Sequence, residues 1–403
     1  MPIYLDHAAT SPMRPEVLTA YTQALHVVGN PASIHSQGQN AKRMLEEARE
    51  QVAASLGAES VEVVFTSGGT EAVNLGIKGL YWARRAAVPS TRRILVARGE
   101  HHATIDSVEW LEKFEGAVLE WIPVDADGRI SLTALDAALG QDVALVTLLW
   151  ANNEVGTIQP IDEVVALAAV HGVPVHVDAV AAYGYLPIAF SASGIAALSV
   201  SAHKIGGPVG SGALLVSRGA VVEPLLHGGS QQRARSGTQD AAGAVAFGVA
   251  ASTLPDPAPL RVLRDRLIAG VREAVPSAIL RGDPVNRLPG NAHFTFPGCE
   301  GDSLLFLLDM AGFSVSTGSA CTAGVAEASH VLMAMGLSEA DARGALRMTL
   351  GPETTAEEVD AFVAALPAAV AQAERAGLSE RTPVLGQIGR EAPFQPGVVR
   401  LVR

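Results

Sequence analysis

The apolar residues of this chain gather into short unbroken runs separated by helix-patterned stretches. The runs are "VEVVF" (61–65), "RILVA" (93–97), "VALVTLL" (143–149), "VPVHV" (173–177), "AALSV" (196–200) and "GALLVS" (212–217). A strand with one wet face alternates apolar and polar residues. A continuous run predicts a strand buried on both faces, and helices between such runs predict a largely parallel α/β sheet. The stretch 41–56 reads as one of the covering helices. It places Met44, Leu45, Ala48, Val52 and Leu56 on a common face and meets Gly57 as a stop. The pattern changes near "TLPDPAPLR" (253–261), where three prolines in a short polar run mark a domain junction. Beyond it lies a second block with "HFTFPG" and "SLLFLLDMAG". The final "TPVLGQIGREAPFQPGVVRLVR" reads as an extended tail.

Bulk properties narrow the function classes. Of 403 residues, 48% are hydrophobic and 17% charged, which suits a packed globule and not a disordered chain. The formal net charge of -12 argues against nucleic acid or an anionic membrane as the main partner. Two cysteines cannot build a disulfide framework or a four-thiolate zinc site. The start, "MPIYLDHAATSP", has no basic segment followed by an apolar one, and no stretch matches a membrane-spanning helix. The expectation is a cytoplasmic, reduced protein.

In open α/β sheets ligands bind beyond the carboxyl ends of the strands, and this chain's unusual residues collect there. "TSGGTE" (66–71) is a Gly-rich turn between a strand and a helix. Its backbone N–H groups, with the hydroxyl of Thr70, suit an anion such as phosphate; a plain tight turn is the alternative. It is neither a Walker A loop nor a dinucleotide fingerprint. "EHHAT" supplies His101 and His102, whose adjacency prevents both from chelating one metal on a helix face. "HVDA" puts His176 and Asp178 on one strand face, and a buried Asp178 needs a cationic partner. "NNE" (152–154) adds two amides and a carboxylate. Capping or turn roles stay open for each of these taken singly.

"SAHKIGGP" (201–208) is more telling. Lysine occurs only at Lys42, Lys78, Lys113 and Lys204 among 29 Lys and Arg. The first three lie in helical patterns, whereas Lys204 follows an apolar strand and enters a Gly-Gly-Pro loop. An amine can lose its proton and form a Schiff base, which a guanidinium does not. A phosphate cradle, a reactive lysine, a buried aspartate and a histidine together fit pyridoxal phosphate, and no metal is required. Cys321 lies in "STGSACTAG" (316–324), among small residues. An inert thiol and a reactive one are both compatible with that local sequence.

With these residues in view the chain resembles the cysteine desulfurases of the class V aminotransferase group, in the NifS/IscS-like branch. The resemblance rests on "YLDHAAT", "GNPASIH", "FTSGGTEAVNLGIKG", "EHHA", "ANNEVGTIQP", "HVDAV", "SAHKIGGPVGSGAL", "RSGT", "STGSACTAG" and "LRMTLG", in that order, and spans nearly the whole chain up to about residue 380. It implies the pyridoxal-phosphate-dependent transferase fold type I. That fold has a large domain with a mainly parallel seven-stranded sheet sandwiched by helices, and a smaller α+β domain. The expected boundaries are 13–253 for the large cofactor-binding domain, 1–12 with 254–380 for the small domain carrying the cysteine loop, and 381–403 for the tail. The resemblance also implies roles. Lys204 would hold the cofactor as a Schiff base and Asp178 would pair with the pyridine nitrogen. His102 would stack on the ring. Gly69, Thr70, Ser201 and His203 would bind the phosphate, and Thr238 would reach the phosphate of a neighbouring subunit in a homodimer. Asn153 and Arg347 would hold the carboxylate of L-cysteine, and Cys321 would be the nucleophile. Its sulfur would pass to an acceptor protein such as an iron–sulfur scaffold or a tRNA-thiolation enzyme. Cys299 matches no catalytic position.

The chain departs from the family pattern at several points. Ala181 stands where glutamine is usual, His7 where asparagine is common, and Pro352 and Glu353 where an Arg-Phe pair is usual. Two other readings keep Lys204: a different lyase with the same cofactor, such as a selenocysteine lyase, and a weakly active cofactor-binding regulatory homologue. A Cys–His hydrolase leaves Lys204 without a role.

Overall fold

The computed structural model describes residues 2–318 and 328–377. Twelve strands are found among them: β1 (Ile3–Tyr4), β2 (Val63–Thr66), β3 (Arg93–Ala97), β4 (Val118–Ile122), β5 (Val143–Leu149), β6 (Val175–Asp178), β7 (Ala197–Ser201), β8 (Gly212–Val216), β9 (Ile279–Leu280), β10 (Asn291–Thr295), β11 (Phe313–Ser314) and β12 (Ala345–Thr349). Seven form one sheet in the order β2-β8-β7-β6-β5-β3-β4. β8 alone runs antiparallel, to both β2 and β7; the β7-β6-β5-β3-β4 pairings are parallel. The expected mainly parallel seven-stranded sheet is thus observed. β8 reverses because only a short loop separates it from β7, too short for a parallel crossover.

The unbroken apolar runs have a direct structural cause. Successive side chains of a strand point to opposite faces, and here both faces are covered. Leu95, Val146, Leu148, Val177 and Val200 pack on one side with Leu45, Val52 and Phe247 from the helices Ser36–Ser55 and Ala241–Ser252. Their neighbours Ile94, Val96 and Leu145 pack on the other side with Val73, Ile77 and Val108 from the helices Gly69–Ala87 and His102–Glu115. Burying each such Val, Leu or Ile contributes roughly 1.5–3 kcal/mol. The helix Ser36–Ser55 buries Leu45, Ala48 and Val52 as its periodicity predicts, while Met44 is only half-buried. Gly57 follows with φ +59°, a left-handed turn suited to glycine.

A separate apolar core lies around the antiparallel sheet β12-β10-β9. Phe294, Phe296, Leu346 and Met348 meet Leu267, Val271, Leu304, Phe362 and Leu366 from the helices Ala258–Ala274, Gly301–Met310 and Ala356–Gly377. Leu5, near the N-terminus, joins this core, and β1 pairs in parallel with β11. The N-terminal segment then runs across to the ends of the large sheet, where the Ser11 N–H donates to the His203 carbonyl at 3.0 Å. The expected tail, 381–403, lies outside the described residues.

Candidate active site

The strand-end residues converge. β2 ends at Thr66, and Gly68 and Gly69 turn the chain directly into the helix Gly69–Ala87. Glycine is required at 69 by close approach: a Cβ there would sit 2.8 Å from Val180 Cγ2 and 3.4 Å from Ser201 Cβ. The helix N-terminus is thereby pressed against the ends of β6 and β7. The first N–H groups of a helix lack intrahelical acceptors and favour an anion. Beside them Ser201 is 1% exposed and its Oγ has no partner among the described residues. An orphaned hydroxyl in that position costs stability unless a ligand satisfies it. Thr70 is exposed on the same cleft, and His203 flanks it with Nδ1 3.2 Å from Thr10 Oγ1. Burial, then the Lys204 charge, push the His203 imidazole down to about 4, so it is neutral at pH 7.

Asp178 ends β6, its backbone paired with Leu149 and Ser199 on the flanking strands. It is 3% exposed, and its Oδ1 accepts the Val180 N–H at 2.9 Å. Burial raises its carboxyl to about 6, against the opposing pull of that N–H and of Lys204. Lys204 sits in the short helical turn Ala202–Ile205 after β7, closed by Gly206 with φ +74°. Its Nζ donates to the carbonyls of Ala8 and Ala9, the latter at 2.9 Å. Burial and then Arg347 bring its ammonium down to about 8, while Asp6 and Asp178 oppose the shift. Lysine near this value supplies a useful fraction of free amine at neutral pH.

The two histidines separate. His101 caps the helix His102–Glu115, its Nδ1 accepting the Ala103 N–H at 3.1 Å, and its ring lines the cleft with Asp178, Ser201 and Lys204. It keeps accessible surface where it meets the cleft, yet burial by its surroundings and the Lys204 charge bring it down to about 4. With Nδ1 accepting, the proton is assigned to Nε2. His102 points away: its side chain is 54% exposed, 3.9 Å from Asp106, and its ring lies 4.9 Å from that of His330. The structure thus turns His101, and not the expected His102, into the cleft. Adjacent residues at a helix start point apart, and the capping position is the one turned inward.

Asn153 also lines the cleft. Arg347, on β12, is buried; it donates to the Asn153 carbonyl at 3.0 Å and to Asp6 Oδ1 at 2.8 Å, and its Nε has no partner among the described residues. Thr238 is absent from this cleft and lines a separate depression with Ser67, Gln232 and Arg235. Cys321 lies outside the described residues. Cys299 is buried, with its thiol pushed up to about 11, first by burial. Sequence reasoning did not single out Asp6 or Glu100. Glu100 is fully buried beside Asp178, accepts the Leu149 N–H at 2.8 Å, and is held well above the usual carboxylate range by burial. The sole sequence signal for Glu100 is an acid three residues beyond an apolar strand.

Gly69, Thr70, His101, Asn153, Asp178, Ser201, His203 and Lys204 line one cleft of about 230 Å³. One end offers an anion site with an orphaned hydroxyl, the middle a buried carboxylate, and the near wall a lysine amine. That donor set fits pyridoxal phosphate: phosphate on Gly69, Thr70, Ser201 and His203, the ring nitrogen on Asp178, and the aldehyde carbon on Lys204. Ala181 lines the same wall, so the position of the usual glutamine offers only a methyl group. Among the described residues no cluster of His, Cys, Asp and Glu is suited to a metal, and no helix is long and apolar enough to cross a membrane.

Comparison with known proteins agrees with this geometry. Residues 3–362 match the family described as aminotransferase class-V. An IscS-like cysteine desulfurase of Mycobacterium tuberculosis is 54% identical over 386 residues, covering 93% of this chain and 98% of that protein. A cysteine desulfurase of Cereibacter sphaeroides is 44% identical over 375 residues, covering 92% and 96%. Among solved structures, a NifS-like protein superposes with a TM-score of 0.85 at 32% identity, covering 92% of this chain and all of that one, 100%. A structure described as SspA in complex with cysteine gives 0.76 at 32% identity, covering 88% and 100%. The chain belongs to the aminotransferase class-V family, in the branch that holds the cysteine desulfurases.

Proposed function

We propose that the protein works as a cysteine desulfurase. It converts L-cysteine to L-alanine and passes the sulfur, as a persulfide on Cys321, to an acceptor protein such as an iron–sulfur scaffold or a tRNA-thiolation enzyme. The observation that carries the reading is the meeting of Lys204 and Asp178 in one cleft with the orphaned Ser201 hydroxyl and a helix N-terminus. Bound there, pyridoxal phosphate supplies an electron sink for the pair freed at the substrate α-carbon. Asp178 keeps a negative charge against the ring nitrogen. Lys204, with its depressed proton affinity, takes the α-proton on Nζ. His101, neutral and carrying its proton on Nε2, lines the same cleft and would serve as the second proton carrier. Arg347 and Asn153 orient the substrate carboxylate, for which Arg347 exchanges its pairing with Asp6.

The sulfur step balances without an external oxidant. The Cys321 thiolate attacks the substrate sulfur, an S–S bond forms, and the Cβ–S bond breaks. Its electron pair passes to the carbon skeleton and ends as a C–H bond of alanine. A reductant or acceptor thiol then releases the outer sulfur. The protein is read as a cytoplasmic homodimer in which Thr238, facing outside its own cleft, reaches the phosphate held by the partner protomer. The division into 13–253 and 1–12 with 254–380 is supported by the core around β10 and β12 being separate from those of the large sheet, with Leu288 and Val155 packing across the boundary.

The test uses purified protein with L-cysteine and dithiothreitol, with sulfide and alanine assayed together in wild type and Cys321→Ala. Equal sulfide and alanine from a yellow wild type, lost in Cys321→Ala while the colour stays, is the expected result. Turnover unaffected by Cys321→Ala would move the protein to another lyase class.

A further inference from the structure

The turn after β5 presents two neighbouring side chains in different directions. Asn153 faces the cleft, while Glu154 is 2% exposed and turns toward Ser329 and Gly318. Its backbone is fixed on both sides: the N–H donates to Asn152 Oδ1 at 2.9 Å, and the carbonyl accepts from Asn291 Nδ2 at 3.0 Å. The carboxylate of Glu154 accepts the Ser329 hydroxyl. The same Ser329 Oγ caps the helix His330–Ala334, accepting the Leu332 N–H at 3.2 Å. On its other flank the carboxylate abuts Gly318, where a Cβ would lie 3.2 Å from Glu154 Oε2 and 3.3 Å from His293 Nε2.

Gly318 and Ser329 stand on either side of the stretch that carries Cys321. One buried carboxylate therefore bonds one stem, at Ser329, and packs beside the other, at Gly318. A third connection leads back to the cleft: Ser316 exchanges both backbone hydrogen bonds with Arg347, at 2.6 and 3.1 Å, and the Arg347 guanidinium donates to the Asn153 carbonyl. The elements that meet the substrate carboxylate and the elements that hold the two stems are thus the same short turn and the same strand. Behind Gly318, His293 is 0% exposed and neither ring nitrogen has a partner among the described residues, which leaves a tightly filled, polar backing and no room for a side chain at 318.

We infer that Glu154 is a positioning residue for sulfur transfer: through Ser329 and Gly318 it fixes both stems of the Cys321-bearing stretch relative to the substrate end of the cleft. The inference rests on the desulfurase reading. A bond from a hydroxyl to a buried carboxylate is strong enough that its loss slows a geometry-dependent step by about tenfold or more.

The experiment compares wild type, Glu154→Ala, Glu154→Gln and Ser329→Ala, each loaded with pyridoxal phosphate. Two quantities are followed after mixing with L-cysteine without reductant: the change in the cofactor's visible band, which reports substrate engagement, and persulfide on Cys321 by mass spectrometry. Glu154→Ala and Ser329→Ala are expected to keep the half-saturation of the visible change within about twofold and to form persulfide about tenfold more slowly. Glu154→Gln retains an acceptor for Ser329 and is expected to recover most of the rate. Persulfide formation at the wild-type rate in Glu154→Ala overturns the inference. So does a parallel loss of the visible change in Glu154→Ala and Ser329→Ala, which would mean a general structural role, and so does Glu154→Gln behaving like Glu154→Ala. If the wild type itself forms no persulfide, the desulfurase reading fails first and takes this inference with it.

Discussion

Asp178 offers a prediction whose sign differs between the cofactor-free and the loaded protein. In the cofactor-free cleft its carboxyl is buried at 3% exposure and titrates near 6 instead of 3.8. The unfolded chain ionises the group more readily, so folding loses stability as pH rises from about 4 to about 6, and the loss is constant above that. Two pH units at about 1.4 kcal/mol each give up to about 3 kcal/mol at pH 7. Asp178→Asn removes the charge and keeps an oxygen for the Val180 N–H. Its new amide N–H groups lack an assigned acceptor and cost about 1 kcal/mol. Cofactor-free Asp178→Asn is therefore expected to be more stable than wild type by about 2 kcal/mol at pH 7, and no more stable at pH 4. The assay is thermal unfolding of both proteins, stripped of cofactor, from pH 4 to pH 8. Loading with pyridoxal phosphate should reverse the order, because only the wild type gains a counter-charge for its buried carboxylate. A cofactor-free variant less stable than wild type at pH 7, or a difference that does not change with pH, would refute the electrostatic account of this residue.

Other consequences are open to direct measurement. The rate at which pyridoxal phosphate attaches to the cofactor-free protein should climb with pH and level off above about 8, where Lys204 is mostly neutral; a midpoint near 10.5 would show an ordinary exposed lysine instead. Ser201→Ala should weaken cofactor affinity about tenfold, read by fluorescence titration, without lowering the cofactor-free melting temperature, because its hydroxyl has no partner to lose among the described residues. His101→Ala should slow alanine production at saturating cysteine by about a hundredfold, whereas His102→Ala should change it less than twofold. The opposite ranking would return the ring-facing role to His102.

How much of this was legible beforehand depended on whether the signal was local. The buried strands could be read because a strand covered on both faces is apolar at nearly every position: Val143–Leu149 is buried at all seven, and its one polar side chain, Thr147, is paired with His176. Lys204 could be found because amine chemistry is separable from guanidinium chemistry in a chain that otherwise spends arginine. His101 and His102 could not be separated by composition, since both are imidazoles one residue apart. What distinguishes them is that His101 has extended backbone geometry, φ -69° and ψ 148°, and caps the helix, while His102 already belongs to it. The reversed strand β8 was hidden for a similar reason: "GALLVS" has the same apolar run as its parallel neighbours, and only the short connection after Lys204 decides its direction. Asp6, Glu100 and Glu154 were harder still. Each acid owes its place to a partner far along the chain: Asp6 to Arg347, Glu100 to the Leu149 N–H, and Glu154 to Ser329. A carboxylate costs too much to bury alone, so a buried acid just beyond an apolar strand or beside a cleft-lining asparagine announces that a partner exists. Only the fold says which one: Arg347 on β12, Leu149 at the end of β5, and Ser329 at the start of the helix His330–Ala334.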